Sequence, residues 1–268
     1  MPATVLEKQK PLSRLEVAQL TEFAVDYGAS LLMSGGEIWR ADMMIRRIFD
    51  IYGFKNVELF ILPHTVMVSV LPAGESEMVS VHKEVGEIHV NLEQLTVLNR
   101  LVWSLQKQTL PTAELGKKLR DITVGHVYPR YMIIAGMALA LVSLSYYFRA
   151  GVMGAILVTI GIAVAMGFQM YLGEKLHVNR FLLCGAAAFL AGCVLMLGSA
   201  IGLHPDPYLL MVINCIGLIP GIPLINACRE ILFGKVLSGG LLFMTAFIET
   251  LAVACGFALS SLCLGFLL

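Results

Sequence analysis

The stretch NCIGLIPGIPLINACRE, Asn214–Glu230, decides how this chain is read. It lies in the most apolar part of a 268-residue sequence, where a helix is expected to run unbroken. Yet Pro220, Gly221 and Pro223 stand at its centre, Asn214 and Asn226 flank them, and the charged pair Arg229–Glu230 ends it. A proline inside a helix removes one hydrogen bond and clashes with the preceding turn, at a cost of about 3 kcal/mol or more. In a bilayer the freed carbonyls need other protein partners or a wet cavity. The stretch therefore reads as two half-helices meeting at one gap. The carbonyl end of the first half and the N–H end of the second, with its positive dipole, face that gap together. Such a gap suits a solute that carries a carboxylate and a positive group, as an amino acid does.

Outward from this stretch the composition is sharply divided. Of all residues 57% are hydrophobic and 14% charged, and mean hydropathy is +0.79. Soluble domains are nearer 45–50% apolar, roughly. Residues 1–130 hold 14 Lys and Arg and 15 Asp and Glu, whereas residues 131–268 hold 5 and 4. The net charge is zero, which leaves no basic stripe for nucleic acid. All six cysteines, at 184, 193, 215, 228, 255 and 263, lie in the apolar half without CxxC spacing. They read as small buried hydrophobes, neither a disulfide framework nor a zinc site. The first 30 residues lack the pattern of a signal peptide, so the N-terminus is expected in the cytosol.

Five apolar stretches are long enough to span a bilayer as helices, about 20 residues each. They are Tyr131–Phe148, Gly151–Leu172, Phe181–Leu203, Tyr208–Cys228 and Leu241–Cys263. Ala163/Gly167 and Ala188/Gly192 have the spacing that lets helices approach closely. Lys117, Lys118, Arg120, Arg130, Lys175, Arg180, Arg229 and Lys235 fall on one side of these spans and only Arg149 on the other. The loop HPDP, residues 204–207, has no Lys or Arg. The positive-inside rule then puts the N-terminus in the cytoplasm and the C-terminus outside. A unit with an odd number of spans can also pair with an inverted copy, a common transporter plan.

Glu249, in FMTAFIETLAV, is the only acidic residue well inside a span, with Thr245 and Thr250 near it. An intramembrane carboxylate is costly and marks a functional site by default. Counting helical rise, Pro220 and Glu249 fall within about one helical turn of each other in depth. Glu249 is expected to carry a proton or to bind a substrate amine. Asn214 and Asn226 read equally as solute ligands or as hydrogen bonds between helices. Arg229 and Glu230 read as a solvated pair at the inner face.

The polar half reads as an α/β domain. SRLE, Ser13–Glu16, has capping-box spacing and opens an amphipathic helix with Leu20, Phe23, Ala24, Tyr27 and Leu31 on one face. The helix stops at Ser34–Gly36, and a second runs from Glu37 to Tyr52. VELFIL, TVMVSVL and MVSVHKEV follow as short strands, then helices at Asn91–Lys107 and TAELGKKLRDIT. SGGE lacks a phosphate-loop pattern and is read as a glycine stop and restart. His82 and His89 make a poor metal pair, and His64, His126, His177 and His204 form no cluster in sequence. The expected architecture is an α+β cytoplasmic domain over residues 1–125, then an all-α membrane domain of five transmembrane helices over 126–268. No cofactor or metal is expected.

Three stretches, LLMSGGEIWRADMMIRRIFDIYG, VELFILPHTVMVSV and NLEQLTVLNRLV, together resemble the cytoplasmic domain of the bacterial threonine/serine exporter family. GLIPGIPLINACREILFGKVLSGG is similar to that family's PG-x-P…N helix and the glycine-containing loop after it. The match runs over nearly the whole chain. Two departures are an acid one carbon longer, Glu230 where the family usually has Asp, and a Pro63-His64-Thr65 turn where the family has a TPT-like one. Single-chain members have many more spans, so the resemblance implies the larger half of a split member. It further implies a second small membrane subunit or a homo-oligomer, and residence in the bacterial inner membrane. The implied solutes are amino acids of the threonine/serine type or C4-dicarboxylates such as succinate.

Two functions follow as expectations. The first is a secondary-active exporter of small polar metabolites. Its solute would meet Asn214, Pro220, Gly221, Pro223, Asn226 and Glu249, with Ser34, Gly35, Gly36, Glu37 and Arg40 as a cytoplasmic motif. The alternative is a membrane-anchored hydrolase acting through that motif, against which no nucleophile–base pair stands out.

Overall fold

A computed structural model describes residues 12–72, 74–86, 88, 90–123, 129–176, 179–203 and 206–265, with the side chains of 123 and 174–176 outside the description. His89, His126, His177 and His204, and the start of the HPDP loop, lie outside the described residues. In chain order the elements are α1 (Arg14–Met33), α2 (Ile38–Ile51), β1 (Val57–Leu62), β2 (Thr65–Val70), β3 (Val79–Glu84), α3 (Leu92–Lys107) and α4 (Thr112–Thr123). Then come α5 (Arg130–Tyr147), α6 (Gly151–Leu176), α7 (Arg180–Ala200), α8 (Pro207–Leu218), α9 (Gly221–Leu232) and α10 (Val236–Leu264). The chain forms two compact units. The first holds the residues up to Val127 together with Asn226–Leu241; the second holds Tyr128–Ile225 and Leu242–Leu268.

In the first unit local signals set the helix ends. Ser13 Oγ accepts from the Glu16 main-chain N–H at 3.3 Å, and Glu16 Oε2 accepts from the Ser13 N–H at 2.8 Å, which closes the capping box. Asn91 Oδ1 accepts from the Gln94 N–H at 3.0 Å and starts α3. The strands form an antiparallel meander in the order β1-β2-β3, and the Pro63–His64 turn sets Leu62 opposite Thr65. Val66, Val68 and Val70 alternate onto one face and are fully buried, as are Leu20 and Tyr27 of α1 and Ile45 and Phe49 of α2. At Gly28 an added Cβ would stand 2.8 Å from Ile45 Cδ1, so α1 and α2 touch through the missing side chain. His82 lies 3.2 Å from Thr65 Oγ1 across the β2–β3 ladder.

In the second unit α5–α8 and most of α10 pack around a small-residue core that includes Val158, Ile162, Ala187, Ala191, Leu195, Ile213 and Val253. The outward faces are apolar too: Leu139, Val152 and Leu262 are 69%, 75% and 79% exposed. A water-soluble unit would be polar there, whereas a bilayer accepts such a surface. Among the described residues four helices, α5, α6, α7 and α10, are long and apolar enough to cross a membrane. The pair α8 and α9 passes the same test jointly with a 56° bend between them, which makes up to five spans. Ala188 and Gly192 do mark a close approach. Gly192 abuts Ser260 of α10, and an added Cβ at neighbouring Gly256 would lie 2.9 Å from Ala188 Cβ. Ala163/Gly167 does not: Gly167 has open space where a side chain would stand.

Candidate functional site

The break between α8 and α9 begins where α8 runs out of donors. Ile219 N–H makes the last helical bond, to Cys215 O at 2.9 Å, and Pro220 has no N–H to offer the next carbonyl. Gly221 N–H turns back to Ile219 O at 2.8 Å, and α9 starts with Leu224 N–H on Pro220 O at 3.2 Å. Gly221 is exposed, and a Cβ added there would meet nothing within 4 Å. No described atom packs over Gly221 at the interruption. Pro223 lies in the first turn of α9, where helical N–H groups have no helical partner and a proline costs least.

Asn214, on α8, is fully buried. Its Nδ2 donates to Val158 O of α6 at 3.3 Å. Gly161 makes the room, since a Cβ there would lie 3.2 Å from Nδ2 and 3.3 Å from Oδ1. Asn214 is thus a hydrogen bond between helices. Its Oδ1 is buried without a partner among the described residues, a state that costs about 1–3 kcal/mol.

Glu249, on α10, is not alone. Its Oε1 lies 2.8 Å from Nε of Arg180, with side-chain exposures of 6% for the acid and 61% for the arginine. A carboxylate in apolar surroundings needs such a partner. Arg180 is the first residue of α7. The Glu249 carboxylate therefore lies within one arginine side chain of that helix end. Cys184 lies one turn further along α7. Glu249 thus meets α7, and Asn214 meets α6.

In the first unit the residues after the break form a second polar cluster. Glu230 is fully buried, not solvated. Its Oε1 accepts from the Ile38 main-chain N–H at 2.5 Å and its Oε2 from the Trp39 N–H at 3.1 Å. It thereby caps α2, whose own flanking residue Glu37 makes no cap bond. Glu37 instead pairs with Arg229 at 2.5 Å and Arg40 at 3.2 Å. The expected solvated Arg229–Glu230 pair is therefore corrected: each residue finds its own partner in the motif. Asn226 Nδ2 donates to Gly35 O at 3.4 Å, Lys235 lies 3.4 Å from Asp42, and Ser238 Oγ donates to Ile61 O at 3.1 Å. Trp39 stacks on Phe233 with ring centres 4.4 Å apart.

The same contacts define the SGGE motif. Ser34 Oγ donates to Ser30 O at 2.8 Å. Gly35 has φ +83°, which favours glycine, and Gly36 N–H returns to Leu31 O at 2.9 Å. This is the helix stop and restart read from the sequence.

In the sequence Arg180 and Lys235 read only as orienting charges, and Trp39, Asp42, Phe233 and Ser238 carry no local signal. Charge arithmetic could have found Arg180, because a single acid within the spans requires a counter-cation and the apolar half has only five basic residues.

The threonine/serine exporter family model (ThrE) matches residues 22–263. The chain is 24% identical over 240 residues to the "Probable succinate transporter subunit YjjP" of Escherichia coli K12, covering 88% of this chain and 91% of that one. It is 22% identical over 244 residues to the protein of the same name from Klebsiella aerogenes, covering 90% and 92%. No solved structure matches. The chain belongs to the threonine/serine exporter family and is a multi-pass membrane protein built for the export of small metabolites.

Proposed function

We propose that this chain is the larger subunit of a split secondary exporter in the bacterial inner membrane. It would move small carboxylate-bearing solutes, amino acids of the threonine/serine type or C4-dicarboxylates such as succinate, out of the cytoplasm. The observation that carries this reading is the buried Glu249 in a unit that also holds the break between α8 and α9, where Gly221 is exposed. A buried acid in apolar surroundings and a broken helix are both costly, and their costs make sense at a solute path.

In this reading α8 and α9 together are one broken span, the N-terminus is cytoplasmic and the C-terminus outside. Asn214, Pro220, Gly221, Pro223 and Glu249 line the path. Asn226, whose amide reaches Gly35 O, holds the end of the broken span to the motif at Ser34–Arg40. The first unit, as the cytoplasmic domain, anchors that span. A small membrane subunit or a second copy completes the path. The hydroxyl of Ser34, donated to Ser30 O, supports a helix-ending role over that of a hydrolase nucleophile.

The test is efflux of labelled succinate and threonine from cells expressing the chain with and without a small membrane subunit of the same family. Glu249→Gln abolishes efflux on this reading. Efflux equal to wild type in that variant contradicts it.

A further inference from the structure

We propose that Arg180 and Glu249 form an exchange pair: a carboxylate of the transported solute replaces Glu249 on the Arg180 guanidinium while Glu249 takes up a proton. The inference rests on the exporter reading and adds a ligand contact and a coupling rule to it.

The two partners are unequal. The acid is held within the second unit, while more than half of the arginine side chain is accessible. A guanidinium carries five N–H donors in a planar fork, and the contact to Glu249 engages it through Nε. The remaining donors suit a second carboxylate, which binds such a fork through two parallel hydrogen bonds. Arg180 is also the first residue of α7, where the helix dipole adds to its positive charge.

Coupling follows from burial. Removing the cation from a buried ion pair leaves an uncompensated charge, which is strongly unfavourable. Glu249 can therefore release Arg180 only as it becomes neutral. Among the described residues the titratable groups that interact with it are Arg180 and Cys184, both of α7. Of these only Arg180 is a cation, so no other described group replaces it once it is lost. The balance is one ion pair plus one proton plus one solute carboxylate, giving neutral Glu249 and a new ion pair on Arg180. Proton and carboxylate bind together, and each raises the affinity for the other.

The test uses the purified full chain in detergent, with succinate as probe and succinamide as its uncharged control. Binding is measured by calorimetry at about pH 6.5 and about pH 8.5, in buffers of different ionisation enthalpy so that proton uptake is counted. Wild type binds succinate at least about tenfold tighter at the lower pH and takes up one proton per succinate bound. Glu249→Gln binds succinate equally at both pH values with no proton uptake. Arg180→Gln loses succinate binding. Because that variant leaves a buried unpaired acid, the double variant Arg180→Gln/Glu249→Gln repeats the test without one. Wild-type affinity in the double variant, proton uptake in Glu249→Gln, or no succinate binding by wild type at either pH overturns the proposal. The two levels separate cleanly. Efflux that survives Arg180→Gln removes the exchange pair and leaves the exporter reading. Succinate binding with proton uptake but no efflux does the reverse.

Discussion

Glu230 lies across the start of α2, its carboxylate 2.5 Å from the Ile38 main-chain nitrogen. The two residues are 192 positions apart, so the last turn of α9 supplies a cap that α2 lacks in its own sequence. Glu230→Ala is expected to destabilise the full chain by about 1–2 kcal/mol, the usual cost of a lost cap. Arg229→Ala should cost no more than about 1 kcal/mol, because its side chain is more than half exposed. Thermal denaturation of both detergent-purified variants checks the order. A larger loss in Arg229→Ala than in Glu230→Ala would show that the ion pair, and not the cap, holds this segment.

The contact between α7 and α10 depends on missing side chains. A Cβ at Gly256 would lie 2.9 Å from both Ala188 Cβ and the Phe189 main-chain nitrogen. Gly256→Ala should therefore destabilise by about 1–3 kcal/mol through overpacking. Gly167→Ala, which enters open space on a helix, should be neutral or stabilising by up to about 1 kcal/mol. Melting temperatures of the two variants measured side by side decide this, and equal losses would place the tight contact elsewhere.

Asn214 has two roles that separate experimentally. Loss of its bond to Val158 O should cost about 0.6–2 kcal/mol in Asn214→Ala. If Oδ1 also serves the solute, efflux falls well beyond the change in protein level. Efflux normalised to the amount of protein in the membrane is the readout. A fall no larger than the loss of protein assigns Asn214 to helix packing alone.

Ser34 gives the sharpest contrast between an anchoring domain and a hydrolase. Its hydroxyl serves the preceding turn of α1, so Ser34→Ala should lose about 1 kcal/mol or less of stability and keep efflux. Efflux abolished in a normally folded Ser34→Ala protein would revive a chemical role for the motif.

Much of this was legible in the sequence because its causes are local. The capping box at Ser13–Glu16, the Asn91 cap, the Pro63–His64 turn and the break at Pro220 each act within a few residues, and the structure shows each of them. The partners of Arg229 and Glu230 were not legible, because a contact between residues 192 positions apart leaves no periodic trace along the chain. Arg180 can orient a span and also neutralise Glu249, and position near a span end reveals only the first. Glu230 looked solvated because it follows an arginine, yet neighbours in sequence point to different sides of a helix. Small-residue spacing gave one true contact, Ala188/Gly192, and one false one, Ala163/Gly167, because it marks where helices can approach and not where they do.

The most direct test of the central claim compares efflux of labelled succinate and threonine in cells carrying wild type, Glu249→Gln and Glu249→Asp, each with a small membrane subunit of the same family and each matched for protein in the membrane. The account predicts no efflux in Glu249→Gln and partial efflux in Glu249→Asp, which keeps a group able to take up a proton. Full efflux in a stably folded Glu249→Gln protein would contradict it.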